Sequence, residues 1–287
     1  MRPFHYERPQ TVAEASAILL DHGPDARVLA GGTDLTVGLR DGKINPRVVV
    51  DIKWIADLPP TMAMDEGHVE VSATTAITDV LANPTMQRYF PALIEAAQVV
   101  GSIQIRNRAT LVGNVSNASP AADTVPALAI YNAIIKVTGP TGERAIPIAE
   151  FIKGNRSIAT EPGELVTAIR LPVPPTPLGA AFARMTRRRG VDLATINLCC
   201  RIEGRHVTIA FGAAGPRPVI VHDDSGALLA PDASDQDRDA ALSRLLAPTR
   251  PISDVRASAD YRAAMFRVLT RRALHTASER INRQEQP

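Results

Sequence analysis

Two short stretches carry residue types that could do chemistry. Residues 28–35 read VLAGGTDL, and residues 109–123 read ATLVGNVSNASPAAD. Each leaves an apolar run, read as a strand, through glycine into small hydrogen-bonding residues. Glycine permits positive φ and lets another group approach the backbone. Consecutive N–H groups in such a turn form a concave nest suited to phosphate oxygens. In the second stretch Ser119 is a favoured N-cap and Pro120 a favoured first helical residue. The first-turn N–H groups of the helix they predict would point back at the loop and make an anion site. The two loops are about eighty residues apart. Together they could grip a diphosphate without any lysine or arginine. Two ordinary turns is the plainer reading, and it fits either loop alone better than it fits the pair. Neither loop matches the G-x-G-x-x-G or P-loop signatures, so a Rossmann site and a P-loop are both unsupported.

Other candidates are weaker. Cys199 and Cys200 are adjacent and are the only cysteines. Neighbours on a strand point to opposite faces, which disfavours a bond between them. Two thiols also fall short of the four ligands of an iron–sulfur cluster. Buried, reduced thiols of a cytosolic protein are the expectation. His222-Asp223-Asp224 reads as a solvated loop rather than a metal site, because His5, His22, His68, His206 and His275 show no ligand spacing. No Ser–His–Asp order or paired-carboxylate motif stands out, so neither a catalytic nor a metal residue is expected in this chain.

The elements that must position the loops follow from composition and pattern. The 287 residues exceed the usual single-domain size, so two or three subdomains are expected. Hydrophobic residues make up 45% and charged residues 22%, a globular balance; aromatics at 4% leave the core to Ala, Val, Leu and Ile. Net charge is only +2, which gives no strong pull toward nucleic acid or membrane. Basic residues are nonetheless in excess after residue 180, 17 against 12 acidic. No apolar run approaches the ~20 residues of a membrane span, and the N-terminal MRPFHYERPQ lacks a signal-peptide core. A cytoplasmic location is expected.

Thr11 to Glu14 is a capping box before a helix that Gly23 stops. ARVLA, RVVVDI and HVEVSA read as strands. Residues 75–82 and 86–100 read as helices broken at Asn83-Pro84, and TVPALAIYNA as a further helix. IIKVTGPTGERAIPI reads as strand, turn and strand. RLPVPPTPLG (170–179), with four prolines, is the best boundary. Beyond it AFARMTR, TINLCCRI and HVTIAFG predict a three-stranded antiparallel meander. DQDRDAALSRLL and SADYRAAMFRVLTRRALHTA predict helices, joined by the loop APTRPISDVR. The fold class is α+β.

LAGGTDL, GSIQIRNRATLVGN and NASPAADTVPAL resemble the FAD-binding medium subunit of molybdenum hydroxylases, the xanthine dehydrogenase and carbon monoxide dehydrogenase family. FHYERPQTVAEASAILL, GELVTAIRLP, RMTRRRGVDLATI and PISDVRASADYR match the same pattern in order, so the resemblance covers nearly the whole chain. It implies a two-lobed FAD-binding part, residues 1–55 and 56–175, with FAD held between the lobes. A C-terminal domain, 176–287, of a three-stranded antiparallel sheet with helices would follow.

By resemblance, Leu29, Ala30, Gly31, Gly32, Thr33, Asp34 and Leu35 form the first FAD loop, with Gly31, Gly32 and Thr33 giving N–H groups to the diphosphate. Thr110, Gly113, Asn114 and Asn117 form the second. Asp123 matches a carboxylate directed to the ribose hydroxyls, Leu165 packs on the adenine side, and Arg184 and Asp192 reach the flavin. Two residues depart from the pattern. Val112 stands where a second glycine is usual, which would strain a positive φ, and Arg184 replaces a lysine. FAD is expected to be non-covalent, since neither loop contains His, Cys or Tyr.

The resemblance further implies an electron-transfer flavoprotein subunit of an oxidoreductase. A large partner subunit would carry the molybdenum pterin and a small one the 2Fe-2S clusters, the whole assembling as a dimer of heterotrimers. Arg187, Arg188 and Arg189 then read as a subunit-facing or flavin-proximal patch, with no nucleic acid expected. The rival readings are a self-contained flavin oxidase and a non-catalytic nucleotide-binding scaffold.

Overall fold

A computed structural model describes residues 1–174, 178–230 and 232–284. The chain divides between two units. The first comprises 1–82, 102–118 and 133–172, the second 83–101, 119–132 and 173–287. The proline-rich boundary lies partly outside the described residues, which omit Pro175, Thr176 and Pro177.

The first unit holds two sheets. In the smaller, Val48–Asp51 runs parallel to and between His5–Glu7 and Ala26–Leu29. All four residues of that central strand are buried, as a parallel strand covered on both faces requires. The helix Val12–His22 starts at the expected box: Thr11 Oγ1 accepts the Glu14 N–H at 3.1 Å, and the Glu14 carboxylate accepts the Gln10 N–H at 2.7 Å. The larger sheet is antiparallel, in the order Met62–Asp65, His68–Ser72, Leu165–Pro172, Ile134–Gly139, Gly142–Pro147.

In the second unit a four-stranded antiparallel sheet runs Gly179–Met185, Ile196–Glu203, His206–Gly212, Val219–Asp223. Three strands were expected. The fourth is a short edge strand whose residues are mostly half-buried, so its alternation is faint in sequence. It corrects the reading of His222-Asp223-Asp224 as a loop. His222 sits on this strand, its ring 5.4 Å from that of His206, and Asp223 accepts the Ser225 hydroxyl. Among the described residues no group of three or more His, Cys, Asp or Glu is placed to hold a metal.

Alternation along Ile196–Glu203 sorts the core. Ile196, Leu198, Cys200 and Ile202 pack with Phe266, Leu269, Ala273 and Ala277 of the long helix Ala259–Gln284. Pro91–Gln98 and Thr124–Ile130 also pack on the sheet. Cys199 and Cys200 are both fully buried and free, as expected. Burial pushes the Cys200 thiol up to about 12 and Cys199 well above its usual value.

Three local expectations change. Residues 109–112 are no strand: Leu111–Ser116 is a helix, because Thr110 Oγ1 caps it by accepting the Gly113 N–H at 2.9 Å. Val112 therefore has no positive φ and is buried at ease in the helix. Ser119-Pro120 does not start a helix. Residues 119–122 close a turn, Ala122 N–H to Ser119 carbonyl at 3.0 Å, and Thr124–Ile130 begins after Asp123. The helix read over 86–100 is divided into Pro84–Tyr89 and Pro91–Gln98, since Pro91 supplies no N–H and disfavours a helical residue before it. Among the described residues no helix is long and apolar enough to cross a membrane.

Candidate functional site

The strand Ala26–Leu29 ends beside Val48–Asp51, and the chain turns through Ala30 to Asp34 into the helix Leu35–Arg40. Gly32 makes the turn at φ +74°. Gly31 is needed for a different reason. A Cβ there would lie 2.1 Å from the Arg108 carbonyl oxygen and 2.8 Å from the Ala109 Cα. The first glycine loop thus crosses directly over the segment that enters the second. Residues far apart in sequence meet here, backbone on backbone.

Among the described residues, the N–H groups of Gly31, Gly32 and Thr33 donate to no protein acceptor. Unpaired donors of this kind need water or a ligand. They border a cleft of about 550 Å³ that Leu29, Thr36, Lys53, Ile105 and Arg108 also line. The two stretches themselves contain no lysine or arginine, but the cleft does not lack cations. Lys53 and Arg108 both stand on its wall.

Lys53 is fixed from two sides. Its ammonium donates to the Ala30 carbonyl at 3.2 Å and to Asp51 Oδ1 at 2.5 Å. Asp51, 2% exposed, also accepts the Tyr6 hydroxyl. Burial raises the Asp51 carboxyl, but hydrogen bonds from Lys53 and Tyr6 outweigh it and hold the group below its ordinary value. The hydrogen bond to Asp51 and burial push the Tyr6 phenol up.

The remaining expected site residues fall in three places. Thr110 caps the start of the helix Leu111–Ser116, Gly113 and Asn114 lie on it, and Asn117 closes its end and accepts a hydrogen bond from Arg156. Leu165 opens the central strand of the larger sheet and is buried. In the second unit Asp123 Oδ2 accepts from Arg184 at 2.8 Å, and Asp123 Oδ1 accepts from the Asn197 amide at 2.8 Å. Burial raises the Asp123 carboxyl against the Asn197 hydrogen bond and the Arg184 charge. Asp192 is held by Arg187 at 3.4 Å and approached by Arg188 at 4.0 Å. Burial raises its carboxyl, and the Arg187 hydrogen bond and both arginine charges bring the balance below the usual value.

Asn197 was not singled out, although an amide inside the apolar run TINLCC is a visible signal. It lies between Arg184 and Gly212 in the sheet register. A Cβ on Gly212 would sit 2.0 Å from Asn197 Oδ1. Lys53, Tyr6 and Asp51 were also missed, and no local pattern marks them, because 45 residues separate Tyr6 from Asp51.

The chemistry of the donor set fits a dinucleotide phosphate: three free N–H groups on a glycine turn, with an ammonium and a guanidinium on the same cleft wall. Comparison with known proteins agrees. Residues 2–174 match the model of the FAD binding domain in molybdopterin dehydrogenase. Residues 180–277 match that of the CO dehydrogenase flavoprotein C-terminal domain. The chain is 33% identical over 283 residues to the carbon monoxide dehydrogenase medium chain of Afipia carboxidovorans, covering 96% of this chain and 97% of that one. It is 32% identical over 279 residues to a putative xanthine dehydrogenase FAD-binding subunit of Escherichia coli K12, covering 95% of each. Among solved structures, a chain of the Cu,Mo-CO dehydrogenase superposes with a TM-score of 0.89 at 32% identity, covering 98% of this chain and 100% of that chain. A chain of quinoline 2-oxidoreductase from Pseudomonas putida 86 gives 0.86 at 25% identity, covering 97% and 98%. With both family models matched in order along one chain, this protein belongs to the family of FAD-binding oxidoreductase subunits of molybdenum hydroxylases.

Proposed function

We propose that this chain carries FAD within a molybdenum-containing hydroxylase or dehydrogenase and conducts electrons from the 2Fe-2S clusters of a small partner subunit to an external acceptor. A large partner subunit bearing the molybdenum pterin oxidises the substrate. The observation that carries the reading is the crossing of the first glycine loop over Arg108 and Ala109, beside N–H groups that the protein leaves free. When bound, FAD supplies the redox chemistry, and the protein supplies binding, orientation and electrostatics.

In this reading the N–H groups of Gly31, Gly32 and Thr33 take the diphosphate. The segment Thr110 to Asn117, the helix Leu111–Ser116 with its two caps, completes that grip. Asp123 accepts the ribose hydroxyls. Both its oxygens are already engaged, but a carboxylate offers about four acceptor sites, so capacity remains. Leu165 meets the adenine side, and Arg184 and Asp192 face the flavin. Arg184 serves there as a guanidinium already committed to Asp123, where a lysine would be a freer point charge.

Trichloroacetic acid should release about one FAD per chain into the supernatant, because neither loop offers His, Cys or Tyr as an anchor. Flavin left on the pellet contradicts non-covalent binding. Purified chain without visible flavin absorbance, and with no uptake of added FAD, removes the reading altogether and leaves the scaffold.

Electrons must enter through a protein surface. The chain has two cysteines, both fully buried, where a cluster needs four ligands. The Arg187–Arg189 run is the docking surface this reading favours, and a cytoplasmic dimer of heterotrimers is the assembly. The isolated chain is expected to reduce artificial acceptors from artificial donors but to show no turnover with aldehydes or purines. Hydroxylation should appear only with both partners added, and molybdenum and iron should travel with the complex on sizing columns. Turnover by the metal-free chain would instead establish the self-contained oxidase.

A further inference from the structure

Gly31, Gly32 and Thr33 line the cleft and their N–H groups have no protein partner, so something must decide which way those groups point. A trans peptide fixes the carbonyl of one residue and the N–H of the next in opposite directions within one plane. The peptide joining Ala30 to Gly31 has its carbonyl held by the Lys53 ammonium at 3.2 Å. Holding that oxygen therefore aims the Gly31 N–H. Gly31 has no Cβ to restrict this plane, and glycine samples more backbone conformations than any other residue.

Lys53 is in turn unusually determined for a lysine. Its stem carries four rotatable bonds, yet the ammonium is bound by Asp51 Oδ1 at 2.5 Å while the Lys53 backbone N–H donates to the same oxygen at 3.1 Å. Asp51 ends the buried central strand Val48–Asp51 and is itself held by the Tyr6 hydroxyl from the adjoining strand His5–Glu7. The result is one hydrogen-bonded chain, Tyr6 to Asp51 to Lys53 to the Ala30 carbonyl, leading from the parallel sheet to the peptide that enters Gly31.

We infer that Lys53 is a positioning residue for FAD, setting the direction of the Gly31 N–H through the Ala30 carbonyl, with Asp51 and Tyr6 fixing Lys53. The inference rests on the reading that this loop holds the FAD diphosphate.

The test uses full-length apoprotein titrated with FAD by flavin fluorescence. Lys53→Met removes the donor, and Lys53→Arg keeps a cationic donor. Lys53→Met should raise the FAD Kd about tenfold, the worth of one hydrogen bond from a charged donor. Lys53→Arg should restore most of that loss. The Gly31 amide resonance of the apoprotein should move in Lys53→Met and stay near its native position in Lys53→Arg, a readout that general loss of stability does not produce. The Lys53→Met defect should also persist as salt is raised from about 0.05 M to 0.5 M, since a fixed peptide is not screened. A defect that vanishes at high salt would mean that Lys53 acts on the ligand by its charge alone and overturns the inference. Native FAD affinity in Lys53→Met, or an unmoved Gly31 resonance, overturns it as well. Should Lys53→Met not fold, Tyr6→Phe, which loosens the same chain from its far end, must weaken FAD and shift the same resonance, or the inference fails. Wild-type protein that takes up no FAD would instead remove the flavoprotein reading itself.

Discussion

Gly31→Ala is expected to yield a colourless protein. The added methyl would stand 2.1 Å from the Arg108 carbonyl oxygen and 2.8 Å from the Ala109 Cα. Both are backbone atoms, so no side-chain rotation relieves the contact, and the two loops must separate by roughly 1 Å or more to reach ordinary distances. Overpacking of this kind costs about 1–3 kcal/mol. The functional loss should exceed the stability loss, because the three N–H donors move with the loop, and hydrogen bonds weaken steeply as geometry degrades. Flavin content per chain, read from visible absorbance after purification and again after incubation with excess FAD, is the measurement. Full flavin content in Gly31→Ala would show that the crossing does not hold the cofactor.

The largest effect on stability is expected at Asp254. Arg262 is 1% exposed, and its guanidinium donates to Asp254 Oδ1 at 2.6 Å and to the Thr195 carbonyl at 2.9 Å. Arg256 binds the other Asp254 oxygen at 2.7 Å and reaches the Ala194 carbonyl at 3.2 Å. One carboxylate therefore ties the loop before the long helix to residues 194–195, next to Asp192. Asp254→Asn leaves the buried Arg262 charge without a counterion, a change that costs about 3–5 kcal/mol in comparable buried pairs. Burial raises the Asp254 carboxyl, but hydrogen bonds from Arg256 and Arg262 hold it far below the ordinary carboxylate value. With the folded pKa depressed, the stabilisation is fully present above the unfolded pKa of about 3.9 and is lost as pH falls through the folded value. Urea unfolding should therefore separate wild type from Asp254→Asn widely at neutral pH, with the gap narrowing below about pH 4. A gap independent of pH would mean that the carboxylate charge is not what holds Arg262.

Sequence reading performed best where a local rule sufficed. The Thr11 cap, the strands around Val48 and Val71, and the long C-terminal helix follow from capping chemistry and period. It failed at Leu111–Ser116, where Leu-Val looked like a strand end although Thr110 was equally placed to cap a helix. It also failed at Val219–Asp223, a short edge strand whose mostly half-buried residues show no clear alternation. At the site, the first glycine loop is legible because its turn at Gly32 and its close approach at Gly31 demand residues without a side chain. The group that surrounds them is not, since Tyr6, Asp51 and Lys53 look ordinary until the parallel sheet brings them together. Lys53 and Arg108 on the cleft wall show the cost of judging charge from loop residues alone.

The interleaving of the two units has a consequence for synthesis on the ribosome. The helix Pro91–Gln98 buries Ala92, Leu93, Ala96 and Ala97, and it packs on the strand Gly179–Met185, which begins 81 residues after the helix ends (179 minus 98). At about 5–20 residues per second, that apolar face waits roughly 4–16 s for its sheet. Thr124–Ile130, buried along its whole length, waits for the strand Ile196–Glu203. During that interval the nascent chain carries two apolar helices that can pack on each other but lack the sheet that covers them. Rare codons or a pause near residue 170 would lengthen the exposure and favour aggregation. Cutting the gene at the proline-rich segment would make it permanent, because a 1–174 fragment keeps both helices and none of the strands they need.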